Sequence, residues 1–165
     1  MRARRNIGHA AAALALATAV ITSGCGVEPS GVEDGGEAPT GLAEGTPLFF
    51  LDGDGRLQPT MVDSGRLGTV LGAVQLLMAI DQPSDTSLHS EVPSGNTRPT
   101  VEDAGDYVTI RLPYAGDEIS PAGIDQVICT ATAVVAVSGR EIDNLEISVL
   151  PTHGDVVTRS CPALD

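Results

Sequence analysis

The chain has no lysine and no tryptophan, and among its 165 residues there are only two tyrosines and two phenylalanines. Without lysine there is no Schiff-base nucleophile, no attachment point for pyridoxal phosphate and no Walker-type phosphate lysine. Four aromatic residues, Phe49, Phe50, Tyr107 and Tyr114, are too few for the stacking platforms on which sugars and single-stranded bases sit. Basic residues number nine, all arginine, against 22 acidic ones, for a formal net charge of −13. Such a surface repels nucleic-acid phosphates, whose binding requires neutralisation by Lys and Arg, so no nucleic-acid partner is expected. It also repels anionic headgroups and wall polymers unless divalent cations bridge them, and it keeps the chain solvated. There is no Gly-x-Ser-x-Gly elbow. His89 and His153 have no third ligand at a spacing that suits zinc. No catalytic residue, metal site or cofactor is expected.

No apolar run reaches the roughly 20 residues of a transmembrane helix. There is instead a shorter N-terminal signal. Met1-Arg2-Ala3-Arg4-Arg5 is a basic n-region, and residues 10–21 form an Ala-rich apolar stretch of secretory type. Thr22-Ser23-Gly24-Cys25 then brings small residues straight into a cysteine. This arrangement resembles a bacterial lipobox, in which the leader is cut before the cysteine and the new N-terminal Cys carries lipid. It divides the chain into a leader (residues 1–24), a tether beginning at a lipidated Cys25 (residues 25–46) and one domain (residues 47–165). It implies a protein held by its lipid at the extracytoplasmic face of the cell membrane. Removing three of the nine arginines and none of the 22 acids would take the net charge from −13 to −16. The tether holds six glycines, five acids and no base, too little apolar surface to offset ordering entropy. As a flexible coil it would span on the order of 25 Å.

Two cysteines remain, Cys129 and Cys161. In an oxidising compartment an even pair reads as a disulfide, closing a loop of about 32 residues and contributing roughly 3–4 kcal/mol in the chain-entropy model. Two buried free thiols are the alternative. A redox pair lacks its Cys-x-x-Cys spacing.

Leu48-Phe49-Phe50-Leu51, Asp52-Gly53-Asp54-Gly55 and residues 56–62 read as a β-hairpin whose second strand, holding Pro59, lies at an edge. Asp52 and Asp54 suggest a calcium loop only weakly, since the remaining oxygens and the closing Glu are missing. Leu67, Val70, Leu71, Val74, Leu77 and Met78 fall at helical spacing behind a cap at Asp63 or Ser64. Short extended pieces follow at residues 88–92 and 98–102, then an alternating strand at residues 107–112. Ser120-Pro121 is a helix start, and Ile124, Val127, Ile128, Ala131 and Val134 or Val135 give its apolar face. Gln126 and Thr130, one turn apart on it, either satisfy backbone at a sheet edge or mark a contact surface. A strand at residues 144–150 and a short return at Val156-Val157 complete the chain. The expected fold is α+β, β-β-α-β-β-α-β, with two helices packed on one face of a mixed or antiparallel sheet.

This order resembles the GerMN (sporulation and spore germination) domain of bacterial envelope proteins across residues 47–150. The likeness is carried by the Asp-Gly turn before Arg56-Leu57-Gln58-Pro59 and by the helix Thr69-Val70-Leu71-Gly72-Ala73-Val74-Gln75-Leu76-Leu77. Ser90-Glu91-Val92-Pro93-Ser94-Gly95, similar to the family's T-x-[LI]-P-x-G step, adds to it. So do the strand Tyr107-Val108-Thr109-Ile110-Arg111-Leu112 and Gln126-Val127-Ile128-Cys129-Thr130, similar to Q-[IL]-V-x-T. Met78-Ala79-Ile80 departs from the Gly-Pro common after the family's first helix, and the paired cysteines depart as well. The resemblance implies a noncatalytic module that binds another envelope or membrane protein, with an exposed edge at residues 56–62 open to strand addition. A small-ligand or peptidoglycan-associating module is the alternative.

Overall fold

The computed structural model describes residues 45–65, 68–84, 87–95 and 97–164. Cys25, the leader, residues 25–44 of the tether and Leu67 lie outside the described residues.

The first apolar run becomes β1 (Thr46–Leu51), every residue of which is buried. It pairs antiparallel with β2 (Leu57–Val62), from Thr46↔Val62 to Leu51↔Leu57. The turn between them is closed by Gly55 N donating to Asp52 O at 2.9 Å and Asp52 N donating to Arg56 O at 3.0 Å. Gly55 takes φ +76°, the left-handed conformation that such a bulged hairpin needs.

α1 (Val70–Ala79) buries Val70, Ala73, Val74, Leu77 and Met78, a stripe of i, i+3, i+4 spacing. The cap expected at Asp63 or Ser64 is instead Thr69, whose hydroxyl accepts from Gly72 N at 3.1 Å. Ser64 is engaged elsewhere. Its Oγ lies 2.8 Å from Thr46 Oγ1, tying the end of the hairpin to its beginning.

β3 (Thr100–Asp103) pairs antiparallel with β4 (Tyr107–Arg111). α2 (Pro121–Val137) then crosses over, and β5 (Glu146–Leu150) joins β4 in parallel, a pairing that requires a crossover of helix length. β6 (Val157–Arg159) closes the order β3-β4-β5-β6 by antiparallel pairing with β5. Ser120 caps α2 by accepting from Gly123 N at 3.0 Å, with Pro121 at the first helical position. Gly139, at φ +83°, lies just past its end.

The fold is therefore α+β, with two helices, an antiparallel hairpin and a four-stranded mixed sheet. The strands form two sheets rather than one. α2 packs against α1, β1 and β5, so it is buried almost all round. Val108, Ile110, Ile147 and Val149 face it from the mixed sheet and are fully buried. The other face, with Tyr107, Arg111 and Glu146, is exposed. Each large apolar side chain in this core contributes roughly 1.5–3 kcal/mol relative to exposure.

The extended piece expected at residues 88–92 is reduced to a single bridge, Leu51↔His89. The next rung is occupied by a side chain. Gln126 Nε2 donates to Phe49 O at 3.0 Å, and Gln126 Oε1 accepts from Glu91 N at 2.7 Å. One turn on, Thr130 Oγ1 accepts from Phe49 N at 3.0 Å. The Gln126 amide thus stands between β1 and the 89–91 segment in place of a peptide group. Of the two readings of Gln126 and Thr130, the structural one holds, and both side chains are fully buried. The segment also presses on the first turn of α2, where a Cβ on Gly123 would lie 2.6 Å from Glu91 O.

Candidate functional site

The hydrogen bonds of β1 decide what β2 offers to a partner. Phe49 N and O turn to Thr130 and Gln126, and Leu51 N and O exchange bonds with His89, both at 2.9 Å. Backbone groups alternate sides along a strand. Thr46, Leu48 and Phe50 therefore face β2, where their partners are Val62, Thr60 and Gln58. Leu57, Pro59 and Met61 direct their backbone groups outward, along an edge that pairs with no strand among the described residues. Pro59 has no N–H, so the outer row holds two donors, Leu57 and Met61, with a gap between them. The edge expected at residues 56–62 exists, but continuous strand addition is interrupted at its centre. Thr60 points inward, so a proline there would break the hairpin's own ladder rather than block the edge.

Beside the C-terminal half of this edge lies a groove of about 670 Å³, formed by residues 60–63 on one side and 79–84 on the other. Met61, 51% exposed, stands in it with Val62, Ile80 and Pro83. Asp63 and Asp81 are the charged residues of its wall among the described residues.

The titratable groups assemble little chemistry elsewhere. Asp52 Oδ1 accepts from Asp54 N (3.0 Å) and Arg56 N (2.9 Å), and its Oδ2 accepts from Gln58 Nε2 (3.0 Å). The backbone bond from Arg56, ahead of the Gln58 and Asp54 bonds, holds this carboxyl below its ordinary value. Its oxygens serve the turn, and no group of three or more metal-ligating side chains occurs among the described residues. His89, Glu91 and Ser120 do come together, a cluster not visible in the sequence. Ser120 Oγ donates to Glu91 Oε2, and His89 Nε2 stands 4.0 Å from Glu91 Oε1. The carboxylate lies between hydroxyl and imidazole, whereas serine hydrolases place the imidazole beside the hydroxyl. The hydroxyl is also the cap of α2. His153 lies apart, its carbonyl accepting from Gly116 N at 2.7 Å.

Asp125 is the other group that sequence did not single out. It lines a cleft of about 480 Å³ with Arg56, Leu57 and Pro162, and Arg159 Nη2 lies 2.6 Å from its Oδ1. The contact is an ion pair without hydrogen-bond alignment. Burial pushes the Asp125 carboxyl up, and the Arg159 charge offsets part of that. The two residues are distant in sequence, and no local pattern announces the pair.

Cys129 and Cys161 are within bonding distance, with sulfurs 2.00 Å apart and both residues buried. The bond fastens the C-terminal segment to the middle of α2. No helix of the described residues is long and apolar enough to cross a membrane. No protein-family model, no curated protein and no solved structure matches this chain.

Proposed function

We propose that this chain is a noncatalytic protein lipid-anchored through Cys25 at the outer face of the cell membrane, where its GerMN-like domain holds another envelope protein. The leader ending in Thr22-Ser23-Gly24-Cys25 supports the anchor. The order of the motifs between residues 47 and 150 supports the domain type. The observation that carries the binding role is the outer edge of β2, with Met61 half exposed above a groove. Half-exposed methionines suit adaptable protein contacts. The interruption at Pro59 confines pairing to a short stretch around Met61, consistent with a side-chain-led contact rather than an added full-length strand.

The test has two parts. Cys25→Ser should abolish labelling by a fatty-acid probe and, with the cleavage signal gone, leave the protein at the higher mass of the uncut leader. A photo-crosslinking residue at position 61, in intact membranes, should join one dominant envelope or membrane protein. Crosslinks to wall glycopeptide instead would transfer the reading to a peptidoglycan-associating module. Fatty-acid labelling that persists in the Cys25→Ser protein, or is absent from the parent, would refute the anchor.

A further inference from the structure

We infer that the groove beside β2 receives an extended, positively charged segment of the partner protein, an inference that rests on the binding role just proposed. Three features of the groove define the occupant. Met61 presents an outward N–H and C=O with no backbone partner among the described residues, so an extended backbone can pair there. The Met61 side chain is an apolar contact for one residue of that segment. Asp63 and Asp81 flank it with no cation among the other described wall residues.

Charge selects among occupants. A second copy of this chain carries the same formal charge of −13 and brings no lysine. The chain's own residues 26–44 contain five acids and no base, and would add negative charge to an acidic groove. A segment in which Arg or Lys alternates with apolar residues meets all three features. In a strand, alternate side chains share one face. The apolar set can then lie on Met61 while the cations face Asp63 and Asp81.

The chain carries its own reporters for a test. Besides Met1 it has two methionines, Met61 in the groove and Met78 buried in the core. The full chain, labelled with 13C at the methionine methyls, is titrated with a blocked hexapeptide of alternating arginine and valine. The glutamate–valine counterpart serves as control. Saturable movement of the Met61 resonance with Met78 unmoved is expected. Affinity should fall at least tenfold in the Asp63→Asn/Asp81→Asn double variant, and similarly between about 0.02 and 0.3 M salt as screening lengths shorten. The Met78 resonance reports whether the double variant remains folded.

Equal response to both peptides, response to neither, or affinity indifferent to the double variant overturns the inference. So does movement of Met61 with protein concentration alone, which would assign the groove to a second copy. Movement on deletion of residues 26–44 would assign it to the chain itself. If crosslinking from position 61 still finds an envelope protein while the arginine peptide fails, the binding role stands and the charge of its partner is wrong. If the peptide binds but no protein is crosslinked, the binding role is what fails.

Discussion

Replacing Gln126 with leucine keeps the volume at the centre of α2 and removes the amide that links β1 to the 89–91 segment. Phe49 O loses its donor in a site where Phe49 is 2% exposed and Gln126 fully buried. An unsatisfied buried carbonyl costs about 1–3 kcal/mol. Glu91 N loses its acceptor too, but that bond is only partly buried, so water recovers some of the loss. Better apolar packing returns a little more. The net expectation is a loss of about 2–4 kcal/mol. Gln126→Glu separates the hydrogen bond from the shape. Its carboxylate can still accept from Glu91 N, but it faces Phe49 O with no proton. When protonated it can donate again. Burial raises its folded pKa above the ordinary carboxylate value of about 4.3. Stability is therefore present below about pH 4.3 and lost as pH rises towards the folded value. With no tryptophan to follow, urea unfolding is read by far-UV circular dichroism at pH 4 and pH 7. Gln126→Glu should be the weaker protein at pH 7 and should recover much of the deficit at pH 4. A Gln126→Leu protein within about 0.5 kcal/mol of the parent, the usual range for inconsequential substitutions, would refute the strut.

Gly123→Ala places a methyl 2.6 Å from Glu91 O; the clash is with backbone and outweighs the helix propensity gained, so unfolding should show a loss of about 1–3 kcal/mol. Cys129→Ala/Cys161→Ala opens a link across 32 residues and should cost about 3–4 kcal/mol in urea unfolding, a deficit the parent shows only in reductant. Asp52 titrates below its ordinary 3.8, so its contribution is present above that pH and lost as pH falls through the lower folded value. The stability gap between the parent and Asp52→Asn, followed by urea midpoints, should therefore close on acidification. Pro59→Thr restores the missing outward N–H between Leu57 and Met61; sedimentation velocity should show new concentration-dependent association, since a continuous edge is a template for pairing.

The hairpin, both helices and the main strands were legible because each rests on local chemistry. The turn needs Asp52 and Gly55, the second helix needs Ser120 and Pro121, and α1 needs its apolar spacing. The break into two sheets was not legible. It depends on Gln126 reaching Glu91, 35 positions away, and Phe49, 77 positions away. The start of α1 was not legible for a related reason. Ser64 is a good cap by type, but a contact with Thr46, 18 positions away, already engages its hydroxyl. The edge character of β2 followed from Pro59, whereas which of its residues face outward followed only from the bonds that β1 makes to α2.

Those bonds connect the core to the candidate surface. Because Gln126, Thr130 and His89 occupy the outer side of β1, β1 can accept a strand on one side alone, and β2 fills it. The phase of that pairing is then fixed, since a one-residue slip would turn every side chain to the opposite face. The same phase puts Pro59 where its missing N–H faces outward, and puts Met61 two residues on, past the gap. Removing the Gln126 strut should therefore loosen the register of the hairpin as well as the stability of the domain. Amide exchange at Thr60 and Val62, whose N–H groups bond β1, is where that loosening would be seen.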